Sequence, residues 1–172
     1  MMGLTASLMF VVGYFLFISG TVLGIPGAKF FMFAPFFSFM LTVIVSCLRK
    51  IGVVSLISCV FAFIMSFISI FMGLAILVSG IFTDIIALIL FKGYTTKKKI
   101  VFAIPFYPFF SFITASIVVN YVTGNKLFML APNPLTLIAL SIIIYTLGFI
   151  GSNVATKVVV SRILQVKNRK TI

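Results

Sequence analysis

VVSLISCVFAFIMSFISIFMGLAILVSGIFTDIIALILF, residues 53–91, contains one charged side chain, Asp84. As a single straight helix this stretch would be about 58 Å long, against a bilayer hydrocarbon core of roughly 30 Å. It is too long to cross a membrane once and too apolar to leave it, so it must turn back within itself. The sequence predicts a hairpin of two helices with its turn near residues 69–73, where Gly73 supplies backbone freedom. One carboxylate therefore stands in an apolar helix, about ten residues in and hence near the bilayer midplane, where its cost is roughly +2.5 to +3.5 kcal/mol.

The rest of the chain has the same character. Its 172 residues are 63% hydrophobic and 8% charged, with mean hydropathy +1.37, which excludes a water-soluble domain of ordinary composition. The polar breaks divide it into pieces of membrane-crossing length, giving an all-α integral membrane protein: one domain, a bundle of six transmembrane helices. The expected spans are residues 2–23, 30–48, 53–70, 74–91, 100–122 and 135–160, with 161–172 a basic tail. The first ends at the turn signal Gly24-Ile25-Pro26-Gly27, the second at Arg49-Lys50. No cation precedes the first apolar run and no clear small-residue cleavage site follows it, so it reads as a span and not as a removable signal. Pro105 and Pro108 should bend the start of span five. Cys47 and Cys59 offer neither a disulfide framework nor a metal pattern and read as small buried hydrophobes.

Orientation follows from the cations. With loops assigned alternately to two sides, one side collects Arg49, Lys50, Lys92, Lys97, Lys98, Lys99, Lys157, Arg162, Lys167, Arg169 and Lys170, and the other only Lys29 and Lys126. The positive-inside rule then places both termini in the cytoplasm, in the cell membrane. The net charge of +12 does not imply nucleic acid, because the cations sit at membrane borders without interleaved aromatics; attraction to anionic lipid accounts for them.

The missing residue types narrow the function. With no His and a single acidic residue, the chain cannot assemble a carboxylate pair, a Ser-His-Asp arrangement, a His/Cys metal site or an acidic magnesium chelate. It has no phosphate-cradling Gly-x-x-x-x-Gly-Lys-Ser/Thr loop. The expectation is a non-enzyme without cofactor or metal. Two readings of Asp84 stand side by side. Hydroxyls such as those of Thr83 or Ser79, or an amide on another helix, hold it and it fixes packing; or it faces a polar cavity and contacts a ligand or a moving element. A small proton-linked carrier built on Asp84 and a structural membrane subunit are the rival functions.

Four stretches carry a family resemblance: GIPGAKFFMFAPF (24–36), CLRKIGVVSL (47–56), SGIFTDIIALILFKGYTTKKK (79–99) and LGFIGSNVATKVVVSRI (147–163). With the length, six spans and cytoplasmic termini, they resemble the substrate-binding (S) components of energy-coupling factor (ECF) transporters. The Gly80-x-x-x-Asp84 arrangement followed by Gly93-Tyr94 and lysines is similar to a subgroup without an assigned substrate. The resemblance implies a vitamin-like or related small nutrient bound on the external side, enclosed by the loops after spans one and three and the outer parts of spans four to six. By position this assigns substrate contact to Lys29, Phe31, Ser79, Asp84, Asn120, Tyr121, Asn133 and Ser141, with Phe30, Phe33, Phe71 and Met72 nearby. Lys29 and Lys126 either favour an anionic ligand or are ordinary interface lysines.

The resemblance also implies partners: a transmembrane coupling (T) subunit and two cytoplasmic ATPases. Small residues allow close backbone approach in lipid. S components dock through a small-x-x-x-small face on span one, usually two alanines; the equivalent in this chain is Gly3-Leu4-Thr5-Ala6-Ser7, so Gly3 and Ser7 are docking candidates. Ser55, Cys59, Ala62 and Ser66 on span three form a further small-residue face, of which Ser55 and Cys59 are docking candidates, and small residues recur at Gly20 and Gly24 and at Gly148 and Ser152.

Overall fold

The computed structural model describes residues 28–118 and 134–160, together with Ser7, Val11, Val12, Gly13 and Phe15. Among these residues the chain forms six α-helices and no strand: α1 (Ala28–Leu48), α2 (Val53–Ser66), α3 (Ile70–Phe91), α4 (Lys97–Ala103), α5 (Phe106–Val118) and α6 (Pro134–Ala155). A π-helical turn, Thr156–Val160, continues α6. Ser7, Val11, Val12, Gly13 and Phe15 are also helical. A Cβ at Gly13 would lie 3.7 Å from the ring of Phe37 and 3.8 Å from that of Phe33, so this part of the chain packs on α1. The remainder of the expected first span, and the basic tail, lie outside the described residues.

Four stretches are long and apolar enough to cross a membrane: Phe30–Leu48, Ile70–Phe91, Lys97–Val118 and Leu135–Val158. The protein is therefore all-helical with four membrane-crossing candidates among the described residues. Val53–Ser66 is apolar but has 14 residues, or about 21 Å.

The hairpin exists, but its turn falls earlier than the sequence predicts. Helix α2 stops at Ser66 and not at residue 70, and α3 begins at Ile70 and not at residue 74. Ser69 takes an extended conformation, φ −157° and ψ 122°, and starts α3, whereas Gly73 lies inside that helix. The glycine serves helix packing and not the turn: a Cβ at Gly73 would collide with the Ser66 hydroxyl and lie 2.8 Å from the Ala62 carbonyl. Span five also differs. Its helix begins in the lysine cluster at Lys97 and is interrupted at residues 104–105, so Pro105 breaks it. Pro108 sits in the first turn of α5, where it costs little. The Tyr145 hydroxyl donates to the Phe102 carbonyl at 3.1 Å, which would otherwise point to the amide of Phe106 across the break. Residues 119–122 of the expected span lie outside the described residues.

Helix directions follow from the paired contacts. Ser55 meets Asp84 while Ser66 lies at Gly73, so α2 and α3 are antiparallel. Thr42 meets Ser152 while Ser38 lies at Gly148, so α1 and α6 run parallel. Phe82 packs on Phe110 while Ser79 meets Thr114, so α5 is antiparallel to α3; Phe102 packs on Phe149 while Phe106 packs on Tyr145, so the α4–α5 segment is antiparallel to α6. One end of the bundle thus gathers residues 49–52, 92–97 and 156–158, and with them Arg49, Lys50, Lys92, Lys97, Lys98, Lys99 and Lys157. Of the described cations, Lys29 alone stands at the opposite end, in the first turn of α1.

The largest core lies toward the basic end. Leu41, Ile44 and Val45 of α1 pack with Val53, Val54 and Ile57 of α2, Ala87 of α3, Ile100 and Ala103 of α4, Ile104 just after it, and Tyr94. A smaller one, Ala34, Phe112 and Ile144, joins α1, α5 and α6 toward the other end.

Candidate functional site

Helix α2 is eight residues, or about 12 Å, shorter than its antiparallel neighbour α3. The two are flush at the turn, so the N-terminus of α2 is recessed from the basic end. A helix N-terminus leaves its first backbone N–H groups without partners inside the helix. The residue that would ordinarily cap them is Gly52, in the left-handed region at φ 88°, which has no side chain to offer.

Asp84 supplies the missing acceptor from the neighbouring helix. Its Oδ2 accepts the backbone N–H of Ser55 at 2.7 Å and the Ser55 hydroxyl at 2.6 Å. Its Oδ1 accepts the Tyr94 hydroxyl at 2.7 Å. The carboxylate is 6% exposed. It sits at the positive end of the α2 dipole, where an anion is favoured, and charged hydrogen bonds of this kind are worth about 1.5–3 kcal/mol each. Together these terms offset the cost of placing a carboxylate in an apolar bundle. Because α3 begins at Ile70, Asp84 is some 10 Å from the Phe91 end of that helix and about 21 Å from its start, nearer the basic end than the midplane position expected.

Tyr94 reaches this position through a backbone reversal. Lys92 and Gly93 both adopt positive φ, 51° and 94°, and their amides return to the carbonyls of Leu88 and Ala87 at 3.1 and 3.0 Å. The chain then folds under α3 and buries Tyr94 to 1% exposure within the main core. Burial, the Asp84 charge and the hydrogen bond to it all push the Tyr94 phenol well above its ordinary value, burial most strongly. Gly80, one turn before Asp84, lets the helices approach: a Cβ there would collide with the Ser58 side chain.

The hydroxyls named by sequence as partners of Asp84 do other work. Thr83 donates to the Ser79 carbonyl at 2.7 Å; Ser79 donates to the Ala75 carbonyl at 2.5 Å and lies 3.0 Å from the Thr114 hydroxyl of α5. Ser79 is thus a buried α3–α5 contact. Ser141 is buried on α6 and donates to the Leu137 carbonyl at 2.7 Å. Phe31 packs at the edge of the Ala34, Phe112 and Ile144 cluster. Since Pro35 has no N–H, the Phe31 carbonyl lacks its ordinary helical donor. Lys29 stands in the first turn of α1. Asn120, Tyr121 and Asn133 lie outside the described residues, as does Gly3. The structure joins Asp84 to Ser55, and keeps Ser79 on another face of α3.

Of the docking candidates, Ser7 is exposed. Ser55 is turned into the bundle by its bonds to Asp84. Cys59 and Cys47 are both exposed on the outer surface, which corrects their reading as buried hydrophobes. The sequence named the α6 side of a second small-residue seam, Gly148 and Ser152, and missed its α1 side: Ser38, Thr42 and Ser46 repeat every four residues on α1, all buried. Thr42 lies 2.7 Å from Ser152, and Gly148 admits the Ser38 hydroxyl, so α1 and α6 meet along it. The four-residue spacing of hydroxyls was the available signal.

No family model, curated protein or solved structure matches the chain.

Proposed function

We propose that the protein is the substrate-binding subunit of an ECF-type transporter, a multi-pass cell-membrane component of six spans with both termini cytoplasmic. It captures a vitamin-like or related small nutrient on the external side for ATP-driven uptake by a coupling subunit and two ATPases. The observation that carries this reading is the Asp84 contact between α2 and α3. A cross-helix carboxylate, accepting from a backbone amide and two hydroxyls, pins a helix hairpin at the cation-rich end, away from the end that this reading assigns to the ligand.

In this reading Lys29 and Phe31 at the start of α1 and Ser141 in the first half of α6 form the ligand side, with Asn120 and Tyr121, which follow α5 in sequence, and Asn133, which precedes α6. Ser79 tunes the contact between α3 and α5. Asp84 holds one helix arrangement. The small-residue seams support such a subunit, because glycine and hydroxyl contacts let helices lie close and shift without large repacking. Three donors on the Asp84 carboxylate support a holding role over proton carriage by an independent carrier.

The test is purification of the tagged protein from membranes in mild detergent, with mass spectrometry of the co-purifying proteins and of small molecules released from it. The expected result is a transmembrane coupling protein with two ATPases and a retained nutrient. A ligand-free protein without ATPases, even from nutrient-rich cells, overturns the reading.

A further inference from the structure

A groove of about 450 Å³ opens at the basic end between α4 and the end of α6. Lys97, Lys98 and Lys157 line it together with Asn153 and Thr156, and Val101, Phe102 and Phe149 form its apolar wall. The rings of Phe102 and Phe149 lie 5.1 Å apart. We infer that this groove binds the phosphodiester headgroup of an anionic phospholipid, with an acyl chain along the Phe102 and Phe149 wall.

Three features select this occupant. The charge is complementary: three ammonium groups with an amide suit a phosphate. For Lys97 and Lys98 that anion comes from outside, because the chain's single carboxylate side chain, Asp84, is held by Ser55 and Tyr94. The wall is continuous with lipid-facing surface, since Phe102, Ile150, Val154 and Val158 are all exposed on membrane-crossing helices. A free inorganic anion would leave that wall unused. The third is local backbone geometry. The helix widens to a π turn at Thr156–Val160, where Thr156 donates back to the Ser152 and Asn153 carbonyls at 2.7 and 3.1 Å. Such turns recur at functional sites because the extra residue displaces side chains from the regular helical rows. In this chain it falls at Thr156 and Lys157, on the groove.

Native mass spectrometry of the full chain in detergent, titrated with phosphatidylglycerol or phosphatidylcholine, tests the site. Phosphatidylglycerol is expected to be retained over phosphatidylcholine. Each of Lys97→Gln, Lys98→Gln and Lys157→Gln should weaken retention about fivefold, whereas R49Q/K50Q, at the same end but outside the groove, should leave it within about twofold. Excess inorganic phosphate should not displace the lipid. Circular dichroism of each variant checks that it is folded; should Lys97→Gln or Lys157→Gln fail to fold, Lys98→Gln alone decides. Equal retention by wild type and the lysine variants overturns the site. Equal loss in the Arg49/Lys50 control, or displacement of the lipid by phosphate, overturns it as well.

Discussion

Asp84 is placed where a helix end needs an acceptor, and its substitution should reveal which of its bonds matter. Asp84→Ala leaves the Ser55 amide and the Tyr94 hydroxyl without their acceptor inside the bundle, at about 1–3 kcal/mol for each orphaned donor. Tyr94→Phe removes one bond and orphans no donor, so it should cost about 1–2 kcal/mol. Thermal melts followed by circular dichroism in one detergent check the order: wild type, then Tyr94→Phe, then Asp84→Ala, with the double variant close to Asp84→Ala because the two share one interaction. Tyr94 also sets an alkaline limit. Its phenol keeps its proton above the ordinary value of 10.0 in the fold, so above about pH 10 the unfolded chain loses that proton first. This contribution to stability is complete below that pH and declines as pH rises further, and a melt series from pH 8 to 11 should decline less steeply in Tyr94→Phe. The need for a partner to Asp84 was legible in the sequence, since a lone carboxylate in an apolar run demands one. Its identity was not, because Tyr94 arrives through a reversal at Lys92 and Gly93, and a non-glycine residue at positive φ gives no clear sequence signal.

Helix pairs in this protein are set by what glycine permits, and alanine substitutions should rank by what the new methyl meets. At Gly151 it would meet the backbone of Pro35, which cannot retreat without moving α1, so Gly151→Ala should be the most damaging. At Gly80 it would meet the Ser58 side chain, an overpacking worth about 1–3 kcal/mol. At Gly52 nothing lies within 4 Å, and the cost is that of positive φ alone, about 1–2 kcal/mol. The same melts, with helicity measured at low temperature, test the series: Gly151→Ala should lose the most and Gly52→Ala should keep native helicity. The hairpin itself could be read from residues 53–91 because length and apolarity leave no alternative. Its turn was misplaced because Gly73 carries both a flexible backbone and a small side chain, and only the facing helix, with Ser66 against it, reveals which property is used. The seam of Ser38, Thr42 and Ser46 was missed for a related reason: hydroxyls spaced by four in an apolar helix acquire meaning only beside Gly148 and Ser152.

Across the whole bundle, cations at one end and the start of α1 at the other define an axis that labelling can orient. In a background with Cys47 and Cys59 replaced by alanine, Lys29→Cys should react with an impermeant maleimide on intact cells, and Thr95→Cys only after permeabilisation. The reverse pattern would invert the proposed orientation. This axis was legible in the sequence from charge counts alone. The recession of α2 was not, since it depends on where two helices begin relative to each other. That recession reaches beyond the protein. Helix α2 itself is about 21 Å long, some 9 Å less than an ordinary hydrocarbon core, and exposed Ile51, Phe67 and Ile68 carry the apolar flank past its two ends. Arg49 and Lys50, both exposed at its start, draw headgroups and water down toward that level. A bilayer thins beside a segment shorter than its hydrocarbon core, so the flank of α2 is the side on which a neighbour that relieves such a mismatch should settle.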